Sequence, residues 1–371
     1  MTRYLTLDEL RTALELRDLT DPTRGAHAIQ LLGEGIAQAV AALDDCAIRQ
    51  VRQSPLVSVA ANYDALGYET SDITRNERYS RYVGPTVMLR SHTSAMLPPT
   101  LAAHDGTDNV LYAAAGLAYR RDAIDRTHTG EPHQLDLWRV TRGRPGHEDL
   151  VAALGAVAEA VLPGCRWRVT PSPHHYTVDG QQLDVWDTDT GEWLELAEGG
   201  IIAPWLLKSV GIPTDSWSGV AMGLGLDRAL MLRKRIPDIR LLRSSDPRVA
   251  SQMLNLAVYQ PVSLMPPITR DLSVVVSWGV DEEIIGDRVR SSLGARAADL
   301  ESVQLLTLTS YDDLPEGARR RLGLRLGQAN ALVRLTLRSI ERTLTSAEAN
   351  ELRDAAYLAI HEGPVVELAA G

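Results

Sequence analysis

Short strand-like segments joined by turns fill the middle of the chain, and they limit the fold to one built around an antiparallel sheet. Residues 110–119 and 134–140 are rich in β-forming side chains and flank a polar loop, which predicts an antiparallel hairpin. Residues 167–193 alternate between apolar and polar side chains, and Asp179-Gly180 is typical of a turn between strands. We therefore expect meandering, mostly sequential strand pairing over this stretch.

Helical and proline-rich segments flank this region and suggest the domain boundaries. Residues 1–45 form an N-terminal helical segment, which begins with a Thr6–Glu9 capping-box pattern. A main domain over residues 46–255 includes helices near 147–161 and 224–235. Residues 256–267 hold three prolines and no helical period, so they are the predicted linker. In residues 268–371 strands and helices alternate, which predicts a small α+β domain.

Composition excludes several classes of protein. The 371 residues carry a net charge of -10, so a contact with nucleic acid must use local basic patches. Two cysteines cannot build a disulfide framework or a zinc ribbon. No apolar run is long enough to cross a membrane, and the N-terminus lacks a signal-peptide pattern. We expect a cytoplasmic protein without a membrane partner.

Two arginines point to chemistry on a polyphosphate. Arg120 follows the first strand of the predicted hairpin, and Arg228 follows a Gly223-x-Gly225 turn. Two fixed guanidinium groups suit attack on an α-phosphorus, because charge develops on the phosphoryl oxygens in the transition state. From the residues alone, solvated surface arginines are equally compatible with this pattern. The sequence holds no Walker loop, GxSxG elbow, HExxH motif or dinucleotide fingerprint.

Several motifs, in order, resemble those of class II aminoacyl-tRNA synthetases of the phenylalanyl type. Residues 54–66 are similar to motif 1 and the NFDAL signature, and residues 90–94 to the R-x-HTS segment. Residues 119–136 resemble motif 2, and residues 223–240 resemble motif 3. The resemblance implies an α+β fold: a class II antiparallel sheet flanked by helices in residues 46–255, followed by a small ferredoxin-like domain. It makes residues 46–255 the catalytic domain.

The resemblance also implies roles for individual residues around ATP. Arg120 would hold the α-phosphate, Arg228 the distal phosphates and the adenine, and His128 would contact the phosphates from the motif 2 loop. Glu195 falls where the family places a carboxylate for Mg²⁺, a cation that prefers oxygen ligands. A solvent-facing strand position is the alternative interpretation for Glu195.

The amino-acid substrate would lie beside this nucleotide site. His92, Ser94, Gln134 and Asp136 fall where the family binds the ammonium and carboxylate, although Asp136 is one methylene shorter than the family's Glu. Three further positions, His174, Tyr176 and Ala221, would face the substrate side chain. His174 and Tyr176 replace two phenylalanines, so we expect a more polar pocket and a substrate with a polar ring substituent, unless both side chains turn away.

The C-terminal segment resembles the anticodon-binding domain that follows the core in single-chain organellar enzymes. Residues 261–371 contain 12 Arg against 16 Asp plus Glu, so this domain is not basic overall. A cluster of arginines there could meet a phosphate backbone or simply be a solvated face. The cluster comprises Arg319, Arg320, Arg321, Arg325, Arg334, Arg338 and Arg342.

Three hypotheses for function remain open. In the first, the chain uses ATP to activate phenylalanine or a polar-ring analogue and transfers it to tRNA, as a monomer or a homodimer. In the second, a synthetase paralogue delivers the activated amino acid to a carrier protein or a small molecule. In the third, a pseudo-synthetase only binds or regulates, but retention of Arg120, Glu195 and Arg228 argues against it.

The chain contains no phenylalanine, although it contains 11 tyrosines. Where the family uses Phe, this sequence has Tyr63, Pro132, His174, Tyr176 and Met222. Coding bias would deplete Tyr as well, so we put forward the hypothesis that the protein must be made when charged phenylalanine tRNA is scarce or carries an analogue. Comparing its synthesis with that of a Phe-containing protein during phenylalanine depletion tests this, since equal loss of both would contradict it.

Overall fold

A computed structural model describes residues 3–76, 78–121, 125–188, 190–262 and 265–366. Its contacts divide the chain into two compact units that do not follow sequence order. The first comprises residues 1–120, 131–236 and 251–259, and the second comprises residues 121–130, 237–250 and 260–371. Within the described residues, no helix is both long enough and apolar enough to cross a membrane.

Among the described residues, the first unit contains ten strands and seven α-helices. Its helices are α1 (Leu7–Glu15), α2 (Ala28–Ala41), α3 (Val59–Asn62), α4 (Leu97–Ala102), α5 (His147–Val161), α6 (Pro204–Ser209) and α7 (Leu226–Lys234). Its strands are β1 (Ala47–Val51), β2 (Leu56–Ser58), β3 (Arg81–Tyr82), β4 (Val87–Leu89), β5 (Val110–Leu117), β6 (His133–Thr141), β7 (Trp167–Pro171), β8 (Thr177–Asp187), β9 (Glu192–Ile202) and β10 (Ser218–Gly225).

A seven-stranded sheet in the order β1-β5-β6-β10-β9-β8-β7 is the framework of this unit. The predicted hairpin is confirmed, because β5 and β6 pair antiparallel, and β7, β8 and β9 form the predicted meander. The predicted antiparallel sheet is therefore found, except at one edge, where β1 pairs parallel to β5. Parallel neighbours need a long crossover connection, and residues 52–109, including the separate β2-β4-β3 sheet, supply it.

The helix α5 covers one face of the large sheet. The predicted α5 begins at His147 and buries Leu150, Leu154 and Val157, a spacing that directs one stripe towards the strands. A side chain at Gly199 of β9 would meet Leu150 and Met222, so these residues identify the helix-covered face. At the N-terminus, the Thr6–Glu9 capping box of α1 is confirmed.

Two β-bulges interrupt the pairing of β8 with β9. Val178 pairs with Ile201 but Gln181 pairs with Gly199, so β8 carries an extra residue there. The Asp179-Gly180 turn predicted from the sequence is therefore wrong: both residues lie inside β8, and Asp179 adopts a φ of 55°. A side chain at Gly180 would clash with the backbone of Ser172, which explains the glycine.

The second unit is built on a three-stranded antiparallel sheet. Its elements are α8 (Pro247–Ala250), β11 (Ile268–Ser277), α9 (Glu282–Leu293), β12 (Leu300–Ser310), α10 (Glu316–Leu322), β13 (Gln328–Leu337) and α11 (Ser346–Ile360). The strand order is β11-β13-β12, with α9 and α11 packed on an apolar core that includes Val274, Ile285 and Leu352. The three strands with α9 and α11 agree with the alternation of strands and helices predicted for residues 268–371, which did not include the short α10.

Two segments from the predicted catalytic region belong to this second unit. Arg121 lies 3.6 Å from Asp287 of α9, and the Ile239 amide donates to the Arg126 carbonyl at 2.8 Å. Arg240 donates to the carbonyls of Ala298 and Arg338 at 3.0 and 2.9 Å. These contacts are long-range in sequence, which is why the linear boundaries drawn from composition do not anticipate them. Asp122 of the motif 2 resemblance lies outside the described residues.

Candidate active site

A cavity of about 390 Å³ opens on the face of the large sheet opposite α5. Its floor is the strand β10, where the cavity-facing positions are Ala221, Gly223 and Gly225. Gly223 pairs with Asp136 of β6 on one side and with Glu198 of β9 on the other. Directly paired residues of antiparallel strands project to the same face. The floor is thus a low strip of small residues with a carboxylate on each side.

Asp136 is held at the bottom of the cavity by three donors. Its Oδ2 accepts from Thr93 Oγ1 at 2.5 Å, and its Oδ1 accepts from Ser94 Oγ at 2.8 Å and Trp138 Nε1 at 3.3 Å. Burial raises the pKa of Asp136, while these hydrogen bonds oppose that rise. Gln134 holds the same turn, since its Oε1 accepts from the Thr93 amide at 3.3 Å. The shorter Asp side chain therefore does reach the cavity.

His92 brings an unsatisfied imidazole to the cavity wall. Neither of its ring nitrogens has a hydrogen-bond partner of normal geometry in the parts of the chain that are described. Burial, reinforced by the charge of Arg120, lowers the pKa of His92 to about 3. The ring stacks on Tyr68, with 5.7 Å between centroids and 27° between planes. A buried neutral imidazole without partners is typical of a group that a ligand completes.

Aromatic and polar side chains form the outer wall. Tyr176 stacks on Trp138 with 5.3 Å between ring centroids, so it does line the cavity rather than turn away. Burial, with the nearby charge of Asp136, raises the pKa of the Tyr176 hydroxyl well above its ordinary value. His174 Nε2 lies 3.2 Å from Glu198 Oε2. Both residues that replace the family's phenylalanines therefore meet polar groups at this wall.

Arg120 and Glu195 bring opposite charges to the same cavity. Arg120 is fixed by a hydrogen bond from its Nε to the Ser91 carbonyl at 2.7 Å. Glu195 pairs with Asp184, whereas Ala197 pairs with the adjacent Leu183, so β9 carries an extra residue between them. This bulge turns Glu195 towards the cavity, as bulges do near active sites. Glu195 is exposed at the cavity mouth, and partial desolvation together with the charge of Glu198 raises its pKa, while Arg228 opposes the rise.

The position of Arg228 is set by the preceding residue. Asp227, in the first turn of α7, accepts a hydrogen bond from His133 Nδ1 at 2.9 Å and another from the His133 backbone amide. Because His133 Nε2 accepts from the Leu19 amide at 3.0 Å, its proton lies on Nδ1. This buried network ties the start of α7 to β6 and thereby orients the arginine that follows.

His128 belongs to the second unit, in the segment 121–130. Its Nδ1 lies 2.7 Å from Asp125 Oδ2, and its backbone amide donates to Asp125 Oδ1 at 2.8 Å. Neither His128 nor Arg228 is among the residues that line the cavity. The cavity does bring together nine of the eleven site residues predicted from the sequence. They are His92, Ser94, Arg120, Gln134, Asp136, His174, Tyr176, Glu195 and Ala221.

Much of the predicted basic cluster of the second unit is engaged in ion pairs. Arg334 binds Asp271 at 2.8 Å, Arg338 lies 2.7 Å from Glu301, and Arg342 lies 2.7 Å from Glu348. Arg319 lies over the Tyr311 ring at 4.7 Å. Partly neutralised arginines of this kind offer a phosphate backbone less charge than their number implies.

Comparison with known proteins agrees with this architecture. The family model described as "tRNA synthetases class II core domain (F)" matches residues 20–253. The chain belongs to this phenylalanyl-type synthetase family. The resemblance drawn from the motifs is thereby confirmed, and the large mostly antiparallel sheet is the class II core.

Relatives of this class II core include both subunit-type and organellar enzymes. The phenylalanine–tRNA ligase alpha subunit of Mycobacterium avium is 31% identical over 246 residues, covering 64% of this chain and 70% of that protein. The chloroplastic/mitochondrial phenylalanine–tRNA ligase of Arabidopsis thaliana is 28% identical over 315 residues, covering 81% of this chain and 68% of that protein. Among solved structures, a pyrrolysyl tRNA synthetase of Desulfitobacterium hafniense has a TM-score of 0.44 at 21% identity, covering 64% of this chain and 76% of that chain.

Tyr68 and Glu198 also line this synthetase cavity, although neither was among the site residues predicted from the sequence. Tyr68 follows Gly67, whose φ of 79° turns the chain so that the tyrosine covers His92, and burial raises the pKa of Tyr68 to about 12. Glu198 lies three residues after Glu195, a spacing that would place the two on opposite faces of a regular strand. Only the bulge in β9 brings both to the cavity. Glu198 and Gly200 lie two residues apart and face the same side of the sheet, so strand alternation is the sequence signal that could have found Glu198.

Proposed function

We propose that the chain is an ATP-dependent ligase of the phenylalanine–tRNA type, which activates an aromatic amino acid and transfers it to tRNA. The observation that carries this proposal is that Asp136, Arg120 and Glu195 line one and the same cavity in a chain that matches the class II core domain (F). One carboxylate for an ammonium, one guanidinium for a phosphate and one carboxylate for a cation are the groups that adenylate formation requires.

Positioning and charge stabilisation would provide catalysis. The substrate carboxylate attacks the α-phosphorus of ATP, an oxygen–phosphorus bond forms, and pyrophosphate leaves with the bonding electrons. Arg120, held by the Ser91 carbonyl, is suited to the negative charge on the α-phosphoryl oxygens. Arg228, fixed through Asp227, is suited to the distal phosphates and the adenine. We assign His128 to phosphate contact on the resemblance of its loop to motif 2.

Glu195 is the residue that would hold Mg²⁺. Partial desolvation beside the carboxylate of Glu198 raises its pKa, and a divalent cation would relieve that repulsion. No cluster of three or more acidic, His or Cys ligands exists within the described residues. Mg²⁺ commonly binds through one or two carboxylates together with substrate phosphates, and Glu195 fits that arrangement. The cation would neutralise charge on the phosphates.

The amino acid would lie across β10 with its ammonium at Asp136. The Ser94, Gln134 and His92 side chains surround this position, so neutral acceptors and one carboxylate face the ammonium. The substrate ring would then occupy the space bounded by Ala221, Tyr176 and His174. This orientation keeps the α-carboxylate on the side of Arg120.

We assign the second unit to tRNA binding. Its elements run strand, helix, strand, strand and helix, the order of the first five elements of a ferredoxin-like βαββαβ domain, apart from the short α10. The segment 121–130, which resembles the motif 2 loop, belongs to this unit, and its Arg121 lies 3.6 Å from Asp287 of α9. The cytoplasmic location and the choice between monomer and homodimer remain predictions from the sequence.

ATP–pyrophosphate exchange across the aromatic amino acids, followed by transfer to total tRNA, tests this function. We expect exchange that depends on an aromatic amino acid and on Mg²⁺, and esterification of one tRNA fraction. Exchange without transfer to tRNA would instead favour a carrier protein or a small molecule as the acceptor. Absence of exchange with every amino acid would contradict the proposal.

A further inference from the structure

The carboxylate of Glu198 lines the cavity, and the proposed function gives this residue no role. It lies in the same cross-strand row as Asp136, with Gly223 between them. Two interstrand steps separate the backbones of the two acids by about 9–10 Å. Because Gly223 has no side chain, the space between the carboxylates is open to a bound molecule. That span suits the two ends of a para-substituted aromatic amino acid.

The hydrogen-bonding capacity of Glu198 is only partly used. Its Oε1 accepts from Ser172 Oγ at 2.9 Å. Its Oε2 lies 3.2 Å from His174 Nε2, but the two are not aligned for a normal hydrogen bond. No Arg or Lys lies within 4 Å of this carboxylate in the chain as described. With 40% of its side chain exposed, Glu198 retains acceptor sites that face the cavity.

The protonation state of Glu198 follows from its neighbours. The approach of the His174 imidazole lowers the pKa of Glu198, and the Ser172 hydroxyl adds to this effect. The carboxylate is therefore ionised at neutral pH. A negative charge that faces a binding cavity disfavours an entirely apolar occupant, because the charge would lose its hydration without gaining a partner.

We propose that Glu198 selects an aromatic amino acid whose ring carries an amine, with the carboxylate accepting a hydrogen bond from that amine. This inference rests on the proposed function and names its substrate class. Asp136 already accepts three hydrogen bonds and serves the α-ammonium, so a second donor on the substrate needs a second carboxylate. Ser172, whose hydroxyl donates to Glu198 Oε1 at 2.9 Å, is the positioning residue for Glu198. An amine can donate a hydrogen bond to the carboxylate. A ring substituent that only accepts hydrogen bonds would instead bring its negative end towards the negative charge of Glu198.

Pyrophosphate exchange with matched analogues tests this specificity. 4-Aminophenylalanine and 4-methylphenylalanine have similar shapes, but only the first donates a hydrogen bond. We expect kcat/KM for the amino analogue to exceed that for the methyl analogue by about tenfold or more, as expected for a hydrogen bond to a charged group. Glu198→Gln keeps the shape and removes the charge, and it should lower this ratio by about tenfold. Glu192→Gln, at the exposed start of β9, is the matched control and should leave the ratio unchanged.

The outcomes separate the specificity from the proposed function. Exchange with both analogues at equal kcat/KM, or an unchanged ratio in Glu198→Gln, would overturn the role of Glu198 while leaving the synthetase activity intact. A Glu198→Gln variant with an altered Mg²⁺ requirement and an unchanged ratio would assign the carboxylate to the cation and also overturn it. If wild type exchanges with no amino acid, calorimetric binding of the two analogues without ATP decides the question. Preferential binding of the amino analogue that Glu198→Gln abolishes supports it, and equal binding rejects it.

Discussion

Asp227 accepts two hydrogen bonds from His133, one from the imidazole Nδ1 and one from the backbone amide. Both residues are buried, and they join the first turn of α7 to the beginning of β6. Each carboxylate oxygen faces an N–H group, so a neutral amide at this position cannot satisfy both. This single relationship links motif 3 to motif 2 and sets the direction in which Arg228 leaves the helix.

Asp227→Asn should therefore reduce both stability and activity. The amide nitrogen would face one of the two N–H donors of His133, which leaves a buried donor unsatisfied at a cost of about 1–3 kcal/mol. Denaturant unfolding measures this change, and pyrophosphate exchange reports the accompanying loss from a misplaced Arg228. Asp8→Asn, in the exposed first turn of α1, is a control expected to change stability by about 0.5 kcal/mol or less. A fully stable Asp227→Asn variant would contradict the proposed positioning.

Gly223→Ala should weaken amino-acid use more than ATP use. A Cβ at this position would lie 3.5 Å from Asp136 Oδ1, which is ordinary contact, so folding should survive. The methyl group would, however, stand in the gap between Asp136 and Glu198. We expect kcat/KM for the amino acid to fall by about tenfold with the KM for ATP little changed. Gly35→Ala, on the exposed side of α2, controls for the substitution itself, and equal kinetics of both variants would argue against the gap as the substrate position.

His92 should stay neutral where ordinary histidines become charged. Burial depresses its pKa from 6.5 to about 3, so the unfolded chain binds a proton below pH 6.5 that the folded chain does not. The contribution of His92 therefore makes the free energy of unfolding fall as the pH drops from 6.5 towards 3. Nitrogen-15 NMR of the imidazoles should show a signal, absent from His92→Gln, that does not titrate between pH 8 and 5. A His92 signal that titrates near pH 6.5 would show that the ring is solvated.

Sequence patterns anticipated most of the elements in both units. The predicted helix at 147–161 coincides with α5, and α9 is one of the helices that alternate with strands in residues 268–371. Periodicity is reliable there because a single apolar stripe decides the helical face. Motif resemblance likewise placed Asp136, Arg120 and Glu195, since these positions follow fixed landmarks in the chain.

Register and long-range contacts limited the prediction of the site. An extra residue in β9 puts Glu195 and Glu198 on one side, and no local pattern marks that bulge. Gly223 of β10 lies between Asp136 of β6 and Glu198 of β9, and β6 is far from β9 and β10 in sequence. Asp179-Gly180 predicts a turn wrongly because the same two residue types suit a turn and a bulge with positive φ.

Arg120→Ala provides the most direct measurement of the central claim, that this cavity forms an aminoacyl-adenylate. Arg120 is half-buried and lies beside the cavity, so its loss should leave the fold and the unfolding temperature nearly unchanged. Wild type should catalyse ATP–pyrophosphate exchange that depends on an aromatic amino acid, and the variant should lose about 10²–10³-fold in rate. Exchange at the wild-type rate in a folded Arg120→Ala variant, or no amino-acid-dependent exchange in wild type, would contradict the account.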